Sequence, residues 1–259
     1  MASFSVKTHT PTVVNIGKFL FCHPNSLQDG NVVEIIGEEA CGKSTVLQHL
    51  MIDCILPKSY GGCEAAVLYF DLDGHLDLLR IMAIMEQKTE ADESVIKLWL
   101  KRLFVVRCDS TEQVVITLHS IEPLIANSKV QFGMIILDSL TAFHWIDCQD
   151  GGTSHYFKEV KMRKVIAALK MIKERYKICV LASSQQLINV TDKNTDTPGK
   201  VCLHKPVLPA QWSELVNYRF VLKCNSLADV APKKITIHSV SPSHYEKGFV
   251  VDERGLSEI

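Results

Sequence analysis

The segment Asn31-Val32-Val33-Glu34-Ile35-Ile36-Gly37-Glu38-Glu39-Ala40-Cys41-Gly42-Lys43-Ser44-Thr45 decides the fold. Its last part matches the phosphate-loop pattern G-x-x-x-x-G-K-[ST], with an apolar strand pattern before it and an apolar helix pattern after it. In such a loop, backbone N–H groups converge on phosphate oxygens and the helix dipole favours negative charge. The alternative is an ordinary Gly-Lys-Ser turn at a helix start, and the agreement of the strand, the glycines, the lysine and the serine with the motif would then be a coincidence.

The motif predicts a role for each of its residues. We expect nucleotide phosphates to contact Gly37, Glu38, Glu39, Ala40, Cys41, Gly42, Lys43, Ser44 and Thr45. Lys43 would bind the β- and γ-phosphates, and the Ser44 hydroxyl would be a ligand of Mg²⁺. The motif therefore predicts a site for a nucleoside triphosphate with its metal ion.

Short apolar runs alternate with helical patterns along the rest of the chain, which predicts β-α-β units. The predicted strands are 32–36, 66–70, 103–107, 134–137 and 178–182, and the predicted helices are 44–55, 75–86, 93–100, 111–126 and 156–176. After residue 205, strand patterns at 218–223, 234–240 and 248–251 predict antiparallel strands. The predicted fold class is α/β, with a mainly parallel central sheet flanked by helices. A short N-terminal segment, 1–30, precedes one predicted domain, 31–259.

Composition excludes several classes of protein. The 28 Lys and Arg residues nearly balance 29 Asp and Glu residues, so no strong overall field attracts nucleic acid or anionic lipid. We expect no membrane association, since no apolar run approaches the 18 or more residues that span a bilayer. The nine cysteines form no C-x-x-C pair, and their number is odd, which favours free thiols in a reducing compartment over disulfides or a zinc site.

A strand that ends in a carboxylate is the second part that a nucleotide site needs. The run Met134-Ile135-Ile136-Leu137 is followed by Asp138, where the strand should end. Ligands in open α/β sheets collect at the carboxyl ends of strands. We therefore predict that Asp138 holds the hydrated Mg²⁺, although Asp is also a common turn residue.

Two further strand ends carry candidate catalytic groups. The sequence Leu68-Tyr69-Phe70-Asp71-Leu72-Asp73 ends in carboxylates that share one face if the strand stays extended. One of them could polarise the water that attacks the γ-phosphate, and an acidic turn is an equal alternative. Gln185 follows a fifth strand, where its amide could sense the γ-phosphate or lie at the surface.

The order of these motifs resembles the RecA/Rad recombinase core, and within it the small eukaryotic recombinase paralogues. The resemblance covers nearly the whole chain, from the phosphate loop through YFDLDG, LDS and ASSQ to a C-terminal FVV, and it is closest in CILPKSYGGCEAAVLYFDLDGHLDLLRI and ILDSLTAFHWID. It implies a RecA-like P-loop ATPase core with ATP and Mg²⁺ as cofactors. It also implies homologous recombination repair of double-strand breaks in the nucleus.

By the same resemblance, Asp73 stands where the family has its catalytic glutamate. Asp is one methylene shorter, and a displacement of about 1 Å can lower a rate about 100-fold. Gln185 matches the family's phosphate-sensing position. The resemblance therefore implies weak or absent ATP hydrolysis.

The resemblance also assigns two DNA-facing loops, 144–154 and 187–206. The second loop supplies the candidate DNA-binding residues Lys193, Lys200, His204 and Lys205, against Asp192 and Asp196. This small positive excess argues against strong autonomous DNA binding. We expect contact with single-stranded or branched DNA to occur through a complex.

Recombinases of this family carry an N-terminal helical domain and a linker with an F-x-x-A docking motif. Only about 30 residues precede the first predicted strand here, and they contain no F-x-x-A. The expectation is an end subunit of a hetero-oligomer of recombinase paralogues, which assists recombinase assembly on single-stranded DNA. The alternative is a self-sufficient DNA-dependent ATPase, which substantial hydrolysis by the isolated chain would favour.

Overall fold

A computed structural model describes residues 13, 16–21, 26–150, 155–185, 208–224, 233–252 and 255–259. The strands are β1 (Val32–Gly37), β2 (Ala66–Asp71), β3 (Leu103–Val106), β4 (Phe132–Asp138), β5 (Cys179–Gln185), β6 (Tyr218–Cys224), β7 (Lys233–Ser241), β8 (Tyr245–Asp252) and β9 (Gly255–Glu258). The helices are α1 (Lys43–Ile55), α2 (Leu78–Thr89), α3 (Glu93–Leu100), α4 (Thr111–Asn127), α5 (His144–Asp150), α6 (His155–Tyr176) and α7 (Ala210–Leu215), with a 3₁₀ turn at Lys58–Tyr60.

The strands of the described residues form one sheet in the order β3-β2-β4-β5-β1-β6-β7-β8-β9. Strands β3 to β6 in this order are parallel, and β7, β8 and β9 continue the sheet in antiparallel pairs. The α/β class, the mainly parallel sheet and the C-terminal antiparallel strands are therefore confirmed. Strand β6 differs from the expectation on one side, since it pairs parallel with β1 and antiparallel with β7.

Two apolar layers cover the sheet. Helices α1, α2 and α3 contribute buried residues to one core, and α4, α6 and α7 contribute to the other. The strands β1, β2, β4 and β5 are almost continuously buried because both of their faces are covered. Alternate residues of each strand therefore lie on the α1 face, and this alternation decides which side chains share the site.

The structure differs from the sequence prediction at some boundaries. Helix α2 begins at Leu78, three residues late, because the Asp77 side chain accepts hydrogen bonds from the N–H groups of Leu79 and Arg80. The segment predicted as a loop at 144–154 begins with α5. Helix α7 and strand β9 had no sequence prediction.

The N-terminal part of the described chain packs on the core. Ile16, Leu20 and Leu27 are fully buried, and Ile16 forms an antiparallel bridge with Leu27. The Tyr245 hydroxyl donates to the Leu20 carbonyl at 2.8 Å. Among the described helices, none combines the length and the apolar content that a membrane crossing requires.

Candidate functional site

The turn between β1 and α1 has an unusual backbone. β1 ends at Gly37 and α1 begins at Lys43, with Gly42 in the left-handed region at φ 91°. Ala40 also has a positive φ, 55°. This conformation turns the chain directly into α1, whose first N–H groups have no carbonyl partner inside the helix. The helix start therefore offers several N–H donors to one anion.

Gly37 is required by close packing. A Cβ atom at this position would lie 2.4 Å from Cys41 Sγ and 2.9 Å from the Leu222 carbonyl oxygen. The Cys41 side chain is buried against the loop, and burial raises the pKa of its thiol. The neutral thiol therefore packs as a small apolar group that holds the loop together.

The ammonium group of Lys43 lies against the carbonyl groups of the loop. Lys43 Nζ donates to the Glu38 carbonyl at 2.5 Å and lies 3.1 Å from the Gly37 carbonyl oxygen. Ser44 follows in the first turn of α1. An ammonium group, a hydroxyl and a set of helix N–H groups therefore come from consecutive residues at one helix start, which is the donor set that a Mg²⁺-bound triphosphate needs.

A cavity of about 760 Å³ opens beside the loop. This volume lies within the roughly 300–1,000 Å³ of small-molecule sites. Its walls come from three parts of the chain: Ala40–Thr45 at the loop and the start of α1, then the cap residue Asp77 with Leu79, Arg80 and Ala83 of α2, then Lys233, Ile235, Val251 and Asp252 of β7 and β8. The apolar side chains and the cations of this wall suit a purine base and its ribose beyond the phosphates.

Asp138 lies at the carboxyl end of β4, and only β5 separates β4 from β1. Its side chain is on the α1 face and is buried. The Tyr69 hydroxyl donates to Oδ2 at 2.7 Å, and the Ser183 hydroxyl donates to Oδ1 at 2.5 Å. Asp138 is thus a fixed carboxylate on the side of the sheet that carries the phosphate loop.

The two carboxylates after β2 have separate environments. Asp71 is buried, accepts the His75 N–H at 3.0 Å, and has Arg107 Nε 3.4 Å from Oδ2. Asp73 lies beyond the strand end and is exposed. Partial burial and the neighbouring Asp138 raise the pKa of Asp73, while His75 and Lys43 lower it. The structure therefore brings Asp73 near Asp138 and Lys43 and engages Asp71 in the ion pair with Arg107.

Gln185 ends β5, two residues after Ser183. Its backbone N–H donates to Thr141 Oγ1 at 2.9 Å, and Thr141 Oγ1 lies 3.0 Å from Ser139 Oγ. This chain of contacts links the end of β5 to the turn after Asp138. The backbone of Gln185 is therefore held beside this turn, and the role of its side-chain amide stays a prediction.

Sequence reasoning missed three groups of the site: Tyr69, Ser183 and Arg80. The first two could have been found from strand alternation, since Tyr69 is two residues before Asp71 and Ser183 two before Gln185 on the same face. Arg80 lies on α2, and its guanidinium donates to the Asp252 carbonyl at 3.4 Å, a contact across 172 residues that no local pattern indicates.

The candidate DNA-binding residues Lys193, Lys200, His204 and Lys205 lie outside the described residues. In the other expected DNA-facing segment, α5 exposes Trp145 and Ile146. Asp147 of the same helix is buried, where it accepts the Thr111 hydroxyl at 2.6 Å and Lys161 Nζ at 2.9 Å.

The sheet order, the phosphate loop and the carboxylate after β4 define a RecA-like α/β domain. A family model described as Rad51 matches residues 21–254, and the chain therefore belongs to the Rad51 family. It is similar to the mouse (Mus musculus) DNA repair protein XRCC2, with 32% identity over 92% of this chain and 88% of the mouse protein. It is 24% identical to the Arabidopsis thaliana DNA repair protein XRCC2 homolog over 78% of this chain and 71% of that protein. With the Saccharomyces cerevisiae DNA repair protein RAD51 it shares 22% identity over 63% of this chain and 39% of that protein.

Proposed function

We propose that this chain is an ATP-binding subunit of a recombinase-paralogue complex that repairs DNA double-strand breaks by homologous recombination. In this role it assists the assembly of recombinase on single-stranded DNA in the nucleus. Membership of the Rad51 family and similarity to proteins named for DNA repair support the biological role. The observation that carries nucleotide binding is the phosphate loop beside a cavity of nucleotide size.

The assigned ligand is ATP with Mg²⁺. Lys43 and the first N–H groups of α1 would bind the phosphates, and Ser44 and Asp138 would hold the metal ion and its water molecules. Arg80, Ile235 and Val251 would contact the base and ribose, since they line the same cavity.

Removal of the Lys43 ammonium group tests this assignment. We expect Lys43→Ala to weaken ATP binding at least about tenfold, because the loop loses the ammonium group that would pair with the phosphates. Lys97→Ala is the matched control, since Lys97 is an exposed lysine on α3 paired with Glu93. Equilibrium binding of a fluorescent ATP analogue measures both, and equal affinity in the two variants would refute the site.

We propose that a partner chain binds at the β3 edge of the sheet. Strand β3 is the last strand on its side of the described sheet, and Val105 on it is 40% exposed. An edge strand can pair with an extended segment of another chain through main-chain hydrogen bonds. We propose that another recombinase paralogue contributes such a segment.

A charge placed on this edge tests the partner surface. We expect Val105→Asp to lower co-purification with a recombinase paralogue at least about tenfold, since the carboxylate would lose water in the paired state. Val130→Asp serves as control because Val130 has the same exposure, 40%, and lies outside the strands. Unchanged recovery of Val105→Asp would exclude this edge.

A further inference from the structure

The Asp138 carboxylate is held more firmly than a strand end requires. Each of its oxygens accepts a hydrogen bond from a different neighbouring strand, Tyr69 of β2 at 2.7 Å and Ser183 of β5 at 2.5 Å. Two bonds from opposite sides fix the plane of the carboxylate. Each oxygen keeps further lone-pair capacity for a water molecule or a metal ion.

Packing of the core alone does not require the Tyr69 hydroxyl. The side chain is fully buried, and Phe70 beside it fills the opposite core without a hydroxyl. A buried phenol costs free energy unless it is hydrogen-bonded, and a phenylalanine would pack in the same volume. The hydrogen bond to Asp138 supplies that partner for the Tyr69 hydroxyl.

Ser183 shows the same pattern on the other side. It is fully buried, directly after the apolar residues 179–182 of β5, and its hydroxyl donates to Asp138. Strand alternation places Tyr69, Asp138 and Ser183 on the α1 face, in three adjacent strands. The network is therefore built by the sheet itself.

We propose that Tyr69 and Ser183 are positioning residues that orient the Asp138 carboxylate to receive Mg²⁺ or its water ligands. This inference rests on the proposed nucleotide site. Outer partners of a metal ligand typically change metal affinity by about 10–100-fold. The two hydroxyls therefore govern the part of nucleotide affinity that depends on the divalent cation and leave the part that depends on the phosphate loop unchanged.

The test compares nucleotide affinity of the full chain with saturating Mg²⁺ and with EDTA. We expect Tyr69→Phe and Ser183→Ala each to reduce the Mg²⁺-dependent gain in ATP affinity about tenfold, with affinity in EDTA unchanged. Tyr245→Phe is the matched control, since it removes a tyrosine hydroxyl that donates to the Leu20 carbonyl, and Tyr245 is not among the residues that line the cavity. A thermal unfolding scan of each variant accompanies the titration.

The outcomes separate the two proposals. A Mg²⁺-dependent gain equal to that of the wild type in both variants overturns the positioning role and leaves the nucleotide site intact. Equal losses with Mg²⁺ and with EDTA also overturn it, since they indicate general distortion of the fold. A wild-type chain that binds no nucleotide in either condition refutes the proposed nucleotide site, and the positioning role with it.

Discussion

Asp73 lies just beyond β2, near Asp138 and Lys43, and it is one methylene shorter than the glutamate expected from the family resemblance. Partial burial and the neighbouring Asp138 carboxylate raise its pKa, so the group is a better proton acceptor than an isolated Asp. The shorter side chain of Asp73 would therefore limit the rate of hydrolysis. We expect slow ATP turnover by the isolated chain, well below the roughly 1–100 s⁻¹ of kinases.

The lengthening substitution tests this limit. We expect Asp73→Glu to raise turnover about 10- to 100-fold with unchanged ATP affinity, because a shift of about 1 Å at the reacting water has that size of effect. Asp109→Glu, at an exposed aspartate near α4, is the control. Phosphate release under single-turnover conditions measures the hydrolysis rate of each variant. Fast hydrolysis by the wild type would favour the alternative of a self-sufficient ATPase.

His49 makes the stability of the chain depend on pH. Its Nε2 accepts the Leu256 N–H at 2.8 Å, and burial, with help from nearby cations, lowers its pKa from 6.5 to about 4. The unfolded chain therefore binds this proton first as pH falls. Stability from this group is complete above pH 6.5 and decreases down to about pH 4, by about 3 kcal/mol in total.

Removing the His49 imidazole should make the free energy of unfolding less dependent on pH. We expect His49→Gln to show a smaller loss of unfolding free energy between pH 6.5 and 4 than the wild type, as measured by urea denaturation. His119→Gln, at an exposed histidine of α4, should retain the wild-type slope. Identical slopes for all three proteins would show that His49 is not the group responsible.

At the scale of elements, the turn from β1 into α1 is the most constrained. We expect Gly37→Ala to lower the free energy of unfolding by about 1–3 kcal/mol and to weaken ATP binding, because the added methyl group overlaps Cys41 Sγ and the Leu222 carbonyl. Gly248→Ala on β8 is the matched control, since its Cβ would lie 3.6 Å from Ile259, an ordinary contact. Chemical denaturation and ATP titration measure the pair, and equal behaviour would contradict the packing argument.

The sequence predicts the central elements well because each has a local cause. The apolar run of β4 and the glycines of the phosphate loop leave few alternatives, and Asp138 lies where strand length puts it. The parallel order follows from the β-α-β alternation. For the candidate site, the phosphate-loop backbone and the position of Asp138 were therefore within reach of sequence reasoning.

Other elements depend on contacts that are distant in the chain. Helix α5 forms where a loop was expected because Asp147 is anchored by Thr111 of α4 and Lys161 of α6, which no local pattern reveals. The wall formed by β7 and β8 includes Ile235 and Val251, which lie far beyond the phosphate loop along the chain. Hydrophobic periodicity predicts neither helix α5 nor this wall of the cavity, because it describes one segment at a time.

At the scale of the whole molecule, the N-terminal segment is engaged in its own core. Val13 is buried in the same core as Ile16 and Leu20. Phe21 packs edge-on against Tyr218 and Phe220 of β6. The division before residue 31 stays a prediction, and the described residues on both sides of it share one core.

This packing favours a chain that does not polymerise by itself. We expect a monomer at increasing protein concentration, with or without ATP and single-stranded DNA, and a one-to-one complex when a recombinase paralogue is added. A filament needs a donor and an acceptor surface on every subunit. Analytical ultracentrifugation measures the assembly state, and regular filaments of the chain alone would contradict the expectation.

The cavity wall made by β7 and β8 has a consequence for inherited variation. A premature stop codon between residues 224 and 233 would leave every residue of the phosphate-loop motif and Asp138 intact. The shortened product would nevertheless lack Lys233, Ile235, Val251 and Asp252, and so one side of the pocket. It would also lose the strand that Arg80 contacts through the Asp252 carbonyl. Such an allele keeps every motif residue, and we expect its product to lose the proposed nucleotide site.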